Sequence, residues 1–165
     1  MKKKIIIGIS CAIFLILVIT SAYIIFYLKK PTTTLYIDPQ TIKGTMGQVF
    51  MVNISVSEVA DLYGWQIKLE WNPQILELIN VTEGNFLKRH GQTYFGQKIN
   101  ETGYLILDCT LIDNLPGASG SGTLAMVQFY VKESGNCILQ LSNTTLVNSS
   151  EQTIQHMAKN GQFST

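Results

Sequence analysis

Residues 62–71 alternate between apolar and polar side chains, and this alternation constrains the fold more than any other feature of the sequence. Tyr63, Trp65, Ile67, Leu69 and Trp71 fall on one side of an extended chain, and the polar residues between them fall on the other. Successive side chains of a strand point to opposite faces, so a period of two with one aromatic side is typical of a half-buried antiparallel strand. Both tryptophans are therefore predicted to be buried.

The same period recurs along most of the chain after residue 35. Residues 49–57 place Phe50, Val52, Ile54 and Val56 inside, and residues 123–132 bury Ala125, Val127, Phe129 and Val131. Residues 103–112 repeat the pattern, and shorter strands are predicted at 35–38, 75–82, 93–98, 137–142 and near 153–155. Asn72-Pro73 indicates a turn and residues 116–122 a flexible loop. About nine strands without helical periodicity predict an all-β, two-sheet sandwich.

The first thirty residues differ from the rest of the chain in composition, because they consist of a long apolar run flanked by lysines. Residues 5–28 carry no charge, and they account for part of the low charged fraction of the whole chain, 14% against a usual ~25%. A helix of that length would reach roughly 36 Å, enough to cross a bilayer. Lys2, Lys3 and Lys4 precede the run and Lys29 and Lys30 follow it, which favours a cytoplasmic N-terminus and an extracellular remainder.

We therefore interpret residues 1–30 as a cytoplasmic lysine cluster and a transmembrane signal-anchor that contacts membrane lipid through residues 5–28. Residues 31–35 form a short stalk, and residues 36–165 form the sandwich domain. The alternative is a cleaved signal peptide with a site at Thr20–Ala22. The apolar run continues to Leu28 beyond that site, which favours the uncleaved anchor.

The external part is mildly acidic, with seven Lys and Arg against eleven Asp and Glu from Pro31 onward, a net charge of −4. A nucleic-acid partner is therefore not expected. Five N-x-S/T acceptor sites predict glycosylation of an external domain, at Asn53, Asn80, Asn100, Asn143 and Asn148. Cys109 and Cys137 fall on inward strand positions. A disulfide between them is permitted outside the cell, and two free core cysteines are the equal alternative.

The sequence lacks recognisable catalytic and metal-binding motifs. His90 and His156 lack a neighbouring cysteine or carboxylate at metal-ligand spacing, and no G-x-S-x-G or H-E-x-x-H motif occurs. The glycine-rich run 117–122 is followed by a strand and lacks the lysine of a phosphate-binding loop. Asp61, Asp108 and Asp113 do not form a calcium-loop motif. The chain is predicted to be no enzyme and to hold no cofactor or metal.

The outward positions of three predicted strands are more apolar than a sheet facing water requires. They supply a predicted partner-binding surface of Gln66, Lys68, Glu70, Tyr104, Ile106, Asp108, Leu124, Met126, Gln128 and Tyr130. Aromatic, methionine and isoleucine side chains would anchor a partner protein there, and the charges would orient it. The alternative is that a loop, the tail after Ser142 or a second copy covers these residues.

Several spaced motifs occur in one order along residues 36–165. They are Gly47-x-Val49, Leu62-Tyr63-Gly64-Trp65-Gln66-x-x-Leu69-x-Trp71-Asn72-Pro73, Val81-x-x-Gly84-x-Phe86-Leu87 and Gly117-x-x-Gly120-x-Gly122-Thr123-Leu124-Ala125. In this the chain resembles the cohesin domain. The resemblance implies a nine-stranded jelly roll related to carbohydrate-binding modules, without enzymatic activity. It also implies one flat sheet face that grips a calcium-bound helical dockerin.

The sequence thus predicts a surface-anchored, non-catalytic module that recruits a protein partner. The resemblance to the cohesin domain implies that this partner is a dockerin-bearing enzyme. One alternative is direct binding of surface polysaccharide. The rings of Tyr94, Tyr104 and Tyr130 would then have to be coplanar and stack on the sugars. A second is a structural subunit of a surface layer or filament, joined by exchange of the threonine-rich segment before Leu35.

Overall fold

The computed structural model describes residues 33–100 and 103–165, with the side chain of Asn100 left out. Ten strands and one helical turn fill this part of the chain. The strands are β1 (Thr34–Asp38), β2 (Thr41–Lys43), β3 (Val49–Glu70), β4 (Leu76–Glu83), β5 (Thr93–Asn100), β6 (Tyr104–Leu111), β7 (Ala118–Val131), β8 (Asn136–Asn148), β9 (Met157–Lys159) and β10 (Gly161–Ser164), and the helix α1 is Asn85–Lys88. The predicted all-β sandwich is confirmed.

Strand β3 belongs to two sheets. Its first half pairs with β7 and β1, which are followed outward by β4 and β9, and we call these strands the first sheet. Its second half pairs with β6 and β8, and β5 adds to β6, which makes the second sheet. Strand β10 joins β8 to β2 at the margin. What the alternation indicated as two strands, 49–57 and 62–71, is therefore one strand that crosses between the layers.

The two sheets enclose one apolar core, and the alternation identified most of its members. Trp65 is 4% exposed and Trp71 9%, while Val52, Ile54, Ile67 and Leu69 are fully buried. Trp71 meets Phe129 of the facing sheet edge-on, with ring centroids 5.2 Å apart. Burial of apolar surface on this scale is the main stabilising contribution to such a domain.

The run 116–122, predicted as a flexible loop, is largely the start of β7 instead. The hydroxyl oxygens of Ser119 and Ser121 accept hydrogen bonds from the backbone amides of Asp61 and Glu58, at 2.9 and 3.1 Å. Both acidic residues have left-handed backbones, with φ of 57° and 55°. These are the residues where β3 bulges away from regular pairing, so the serines satisfy donors that the ladder leaves free.

The short elements escaped the sequence pattern. Strands β2, β9 and β10 have three or four residues each, too few for a period to be recognised, and α1 is a single turn. The strand predicted near 153–155 is an isolated bridge between Val147 and Thr153, and the regular pairing begins later, in β9.

Leu124 is a correction to the predicted outward positions, because it is only 2% exposed. Ile54 lies opposite Ala125 and Ser55 opposite Thr123, so Leu124 is an extra residue on β7. Such a bulge reverses the alternation at one point, and both Leu124 and Ala125 turn inward.

The predicted membrane segment 5–28 and its lysines lie outside the described residues. The chain divides into two units, Met1–Pro31 and Thr32–Thr165, and every described residue belongs to the second. Within the described ranges no helix is long and apolar enough to cross a bilayer.

The bulge at Leu124 predicts destabilisation of very different size for truncation of two nearby residues, Leu124 and Met126, that the alternation placed on the outward side. Leu124→Ala should lower the free energy of unfolding by about 2–5 kcal/mol, because it leaves a cavity in the core. Met126→Ala, which trims a half-exposed side chain, should cost less than about 1 kcal/mol. Urea denaturation followed by tryptophan fluorescence measures both, and a larger cost at Met126 would contradict the bulge.

Candidate functional site

The outer face of the second sheet is a four-strand grid, which we call the second-sheet face. The pairing registers of β5, β6, β3 and β8 align its outward residues in rows. Each row is given in the order β5, β6, β3, β8. The first row is Tyr94, Thr110, Gly64 and Val147, and the second is Gly96, Asp108, Gln66 and Thr145. The third row is Lys98, Ile106, Lys68 and Ser142, and the last, which starts at β6, is Tyr104, Glu70 and Gln140. Apolar, hydroxyl and charged groups thus alternate across a continuous surface.

This face contains six of the ten residues predicted to bind a partner, namely Gln66, Lys68, Glu70, Tyr104, Ile106 and Asp108. Met126, Gln128 and Tyr130 do not join them. They lie on β7, which pairs with β4 and the first half of β3, so they face outward from the first sheet on the other side of the sandwich. The predicted single surface is wrong in this respect, and Leu124 is in the core.

The outer face of the first sheet brings together a different set of residues. Met126 lies opposite Asn53, and Gln128 lies opposite both Met51 and Asn80. Two of the predicted glycosylation sites therefore flank the β7 residues. Asn80 and Asn143 are exposed, and Asn53 and Asn148 are half-buried. The side-chain oxygen of Asn148 accepts hydrogen bonds from the amides of Ser150 and Gln152. Glycosylation of these four and of Asn100 stays a prediction.

A chain of polar contacts crosses three strands of the second-sheet face. The Lys68 ammonium lies 4.6 Å from the centroid of the Tyr104 ring and forms an ion pair with Glu70. The other carboxylate oxygen of Glu70 accepts a hydrogen bond from the Ser142 hydroxyl at 2.8 Å. The bond from Lys68, and after it the bond from Ser142, lowers the pKa of Glu70 from its ordinary value of 4.5.

Two charges of the face remain without such a contact. In the described ranges, Asp108 and Lys98 take part in no hydrogen bond and no ion pair. Asp108 is half-buried and its carboxylate leans over Gly96, where an added Cβ would lie 2.6 Å from one of its oxygens. Gly96 therefore gives the carboxylate its room on the sheet.

A shallow depression of about 260 Å³ opens beside Asp108. Its floor is Gly64, where a side chain would contact Val147, the Cys109 carbonyl and the Thr110 hydroxyl at 3.2–3.3 Å. Gln66, Asp108, Thr110, Thr145 and Val147 surround it. The alternation did not reveal this feature, because a glycine carries no hydropathy signal; two glycines at outward positions of neighbouring strands would have been the clue.

The two external cysteines are buried and free. Cys109 lies opposite Trp65, whereas the Cys137 sulfur accepts a hydrogen bond from the Asn72 amide at 3.2 Å. Seven residues of extended chain separate these places, roughly 20 Å, which a disulfide cannot span. Burial, helped by the nearby Glu83 carboxylate, raises the pKa of Cys109 to about 12, and burial raises that of Cys137 as well. Such thiols are poor nucleophiles.

The other titratable residues considered from the sequence serve local structure. Hydrogen bonds from the Ser149 hydroxyl at 2.7 Å and the Gly117 amide at 2.8 Å lower the pKa of Asp61. The ring of His156 contacts the Ile154 carbonyl and the Thr144 hydroxyl, both at 2.9 Å, and His90 is exposed. Across residues 33–100 and 103–165, no three His, Cys, Asp or Glu side chains come together as metal ligands.

The β-sandwich fold and its second-sheet face are those of a binding module. Comparison with known proteins identifies its family. The family model for the cohesin domain matches residues 36–164. The chain therefore belongs to the cohesin domain family, a family of non-catalytic binding domains. No curated protein matches the chain in sequence.

Solved cohesin structures share the fold at low sequence identity. A non-cellulosomal cohesin from the hyperthermophilic archaeon Archaeoglobus fulgidus has a TM-score of 0.69 and 19% identity, over 80% of this chain and 89% of that one. The sixth cohesin of scaffoldin B from Acetivibrio cellulolyticus, in complex with a mutant dockerin, has a TM-score of 0.68, 19% identity and coverages of 81% and 98%. The cohesin of a type I cohesin–dockerin complex from Clostridium thermocellum has a TM-score of 0.69 and 13% identity, over 81% of this chain and 98% of that one.

The lowered pKa of Glu70 predicts a pH-dependent contribution to stability. The ionised carboxylate is stabilised in the folded state, so its contribution is present above the unfolded pKa, near 4.5, and is lost as pH falls through the lower folded pKa. Glu70→Gln should therefore destabilise the domain at pH 7 and much less at pH 3, as urea denaturation at both values would show. Ser142→Ala, which removes the second cause, should reproduce part of the effect. An equal cost of Glu70→Gln at both pH values would contradict the assignment.

Proposed function

We propose that this chain is a membrane-anchored, extracellular and non-catalytic cohesin that recruits a dockerin-bearing protein to the cell surface through the second-sheet face. Family membership supports a binding module without catalysis. The solved structures from Acetivibrio cellulolyticus and Clostridium thermocellum are complexes of a cohesin with a dockerin, which supports this partner class.

The observation that carries the proposal is that the face is open to solvent and not covered by the described chain. The Lys68 and Glu70 side chains are 24% and 35% exposed, and Gln66 and Tyr94 are exposed. The segment after β8 runs beside that strand, where the Ile154 amide donates to the Leu146 carbonyl at 2.8 Å. It extends the edge of the sheet, so the outward rows stay accessible to a partner.

The composition of the face suits a protein partner. Ile106 presents aliphatic surface on a central strand and Tyr104 presents ring surface in the last row, both beside the Lys68–Glu70 ion pair. Apolar anchors within a polar surround are where the binding energy of protein interfaces concentrates. The ion pair holds the Lys68 side chain in place before binding, which reduces the entropy lost when a partner orders it.

The alternatives receive less support. A glycan platform would need coplanar exposed rings, but Trp65 and Trp71 are buried and Tyr130 lies on the opposite sheet from Tyr94 and Tyr104. Strand exchange would need a free donor segment. Residues Thr34–Asp38 already pair with β3, and Thr34 also with Met157 of β9, within one chain.

The docking proposal predicts different behaviour for two matched substitutions that each introduce an aspartate on one of the two sheets. Ile106→Asp places a charge at the centre of the second-sheet face and should weaken capture of a calcium-loaded dockerin at least tenfold, a loss of about 1.4 kcal/mol or more. Met126→Asp makes the matched change on the first sheet and should leave capture unchanged. Isothermal titration against a panel of dockerin modules measures both. Equal losses for the two variants would contradict the choice of face.

The anchoring part rests on the charge-free run 5–28 and its flanking lysines. The protein should sediment with membranes and resist extraction by carbonate at high pH. Protease added to intact cells should remove the domain after residue 30 and leave a membrane-protected fragment. Release into the medium of a protein that begins after residue 22 would show instead that the segment is cleaved as a signal peptide.

A further inference from the structure

We infer that the depression at Gly64 receives one arginine side chain of the partner, with Asp108 as its counter-ion, and that this contact selects among partners. The inference rests on the docking proposal and adds to it the chemistry that the partner must carry.

The size of the depression suits a side chain. Its volume of about 260 Å³ is below the range of about 300–1,000 Å³ that is usual for small-molecule pockets. The depression exists because Gly64 has no side chain, while Thr110 on one neighbouring strand and Val147 on the other stand beside it. A projecting residue of a partner would therefore enter between β6 and β8.

Four polar side chains around the depression carry hydrogen-bond acceptors. Asp108 offers a carboxylate, Gln66 lies directly opposite it on β3, and Thr110 and Thr145 add hydroxyl oxygens. A guanidinium group presents five donors in a planar fork that pairs well with a carboxylate and its polar neighbours. A lysine would use only three donors from one point, which makes arginine the better match.

The charges of the face and of the domain also favour a positively charged partner residue at Asp108. Lys68 is satisfied by Glu70 and Tyr104, so it does not neutralise Asp108, and the carboxylate has no hydrogen-bond or ion-pair partner in the described ranges. Half-burial makes a partner cation more valuable to Asp108 than it would be in open water. The sequence from Pro31 onward also has a net charge of −4, which favours approach of a basic surface.

Among the described residues of the second-sheet face, Lys98 is the cation other than Lys68 that could compete for Asp108. It lies next to Ile106, one row from Asp108, and is exposed. Its strand, β5, lies on the side of Asp108 away from Gly64. Lys98→Ala should therefore leave binding of an arginine-bearing partner unchanged or tighten it by a few-fold.

The test selects dockerins from a phage library randomised on the helical surface, using the full chain in mild detergent as bait. Clones that bind should be enriched in arginine at one position. They should lose at least tenfold in affinity for Asp108→Asn, which keeps the shape of the residue, and for Gly64→Ala, which fills the floor. Glu77→Gln removes a like charge from β4 of the first sheet and should leave their affinity unchanged.

The outcomes separate the two proposals. Clones without arginine enrichment, or with equal affinity for Asp108→Asn, overturn the arginine contact; if they still lose binding to Ile106→Asp, the docking face stands. Clones that are insensitive to Ile106→Asp as well, or a library that yields no binder, overturn the docking proposal and the arginine contact with it.

Discussion

Strand β3 has to serve two sheets at once, and the arrangement of the domain depends on how it does so. Over 22 residues it supplies the centre of the first sheet, crosses the sandwich and then supplies the centre of the second. The crossing requires left-handed backbones at Glu58 and Asp61 and irregular pairing with β7. The Ser119 and Ser121 hydroxyls and the Asp61 carboxylate satisfy the polar groups that this irregular stretch exposes.

This crossing also decides which residues can share a surface. Strands β6 and β7 both pair with β3, yet with different halves of it, so their outward residues lie on opposite sides of the molecule. An approach that follows alternation alone treats both strands as neighbours of one sheet. Ile106 and Met126 then seem to belong together, when the core of the sandwich separates them.

The sequence predicted side-chain orientation well and spatial neighbours poorly. Alternation identified Trp65, Ile67 and Leu69 as buried, because a strand that faces both water and core must show a period of two. It could not say which strand follows which across a sheet, since pairing depends on long-range packing. It failed at Leu124, where an inserted residue shifts the period, and it could not detect the depression at Gly64, which is defined by a missing side chain.

Among the described residues of the second-sheet face, some polar groups have partners and others have none, and this division bears on the proposed docking. Lys68, Glu70 and Ser142 already contact one another, so they order the surface and offer a partner little new energy. Tyr104 and Ile106 offer apolar area, and Asp108 offers an unneutralised charge in a recess. Affinity is then expected from the centre of the face and selectivity from the recess.

The central claim is that a partner docks on the second sheet and leaves the first sheet free. Backbone amide chemical shifts of the isotopically labelled chain, recorded with and without a bound dockerin, test it most directly. The account predicts changes within residues 64–70, 94–98, 104–110 and 140–147. Changes centred on residues 76–83 and 122–130 would contradict it, because they would place the contact on the face of β4 and β7.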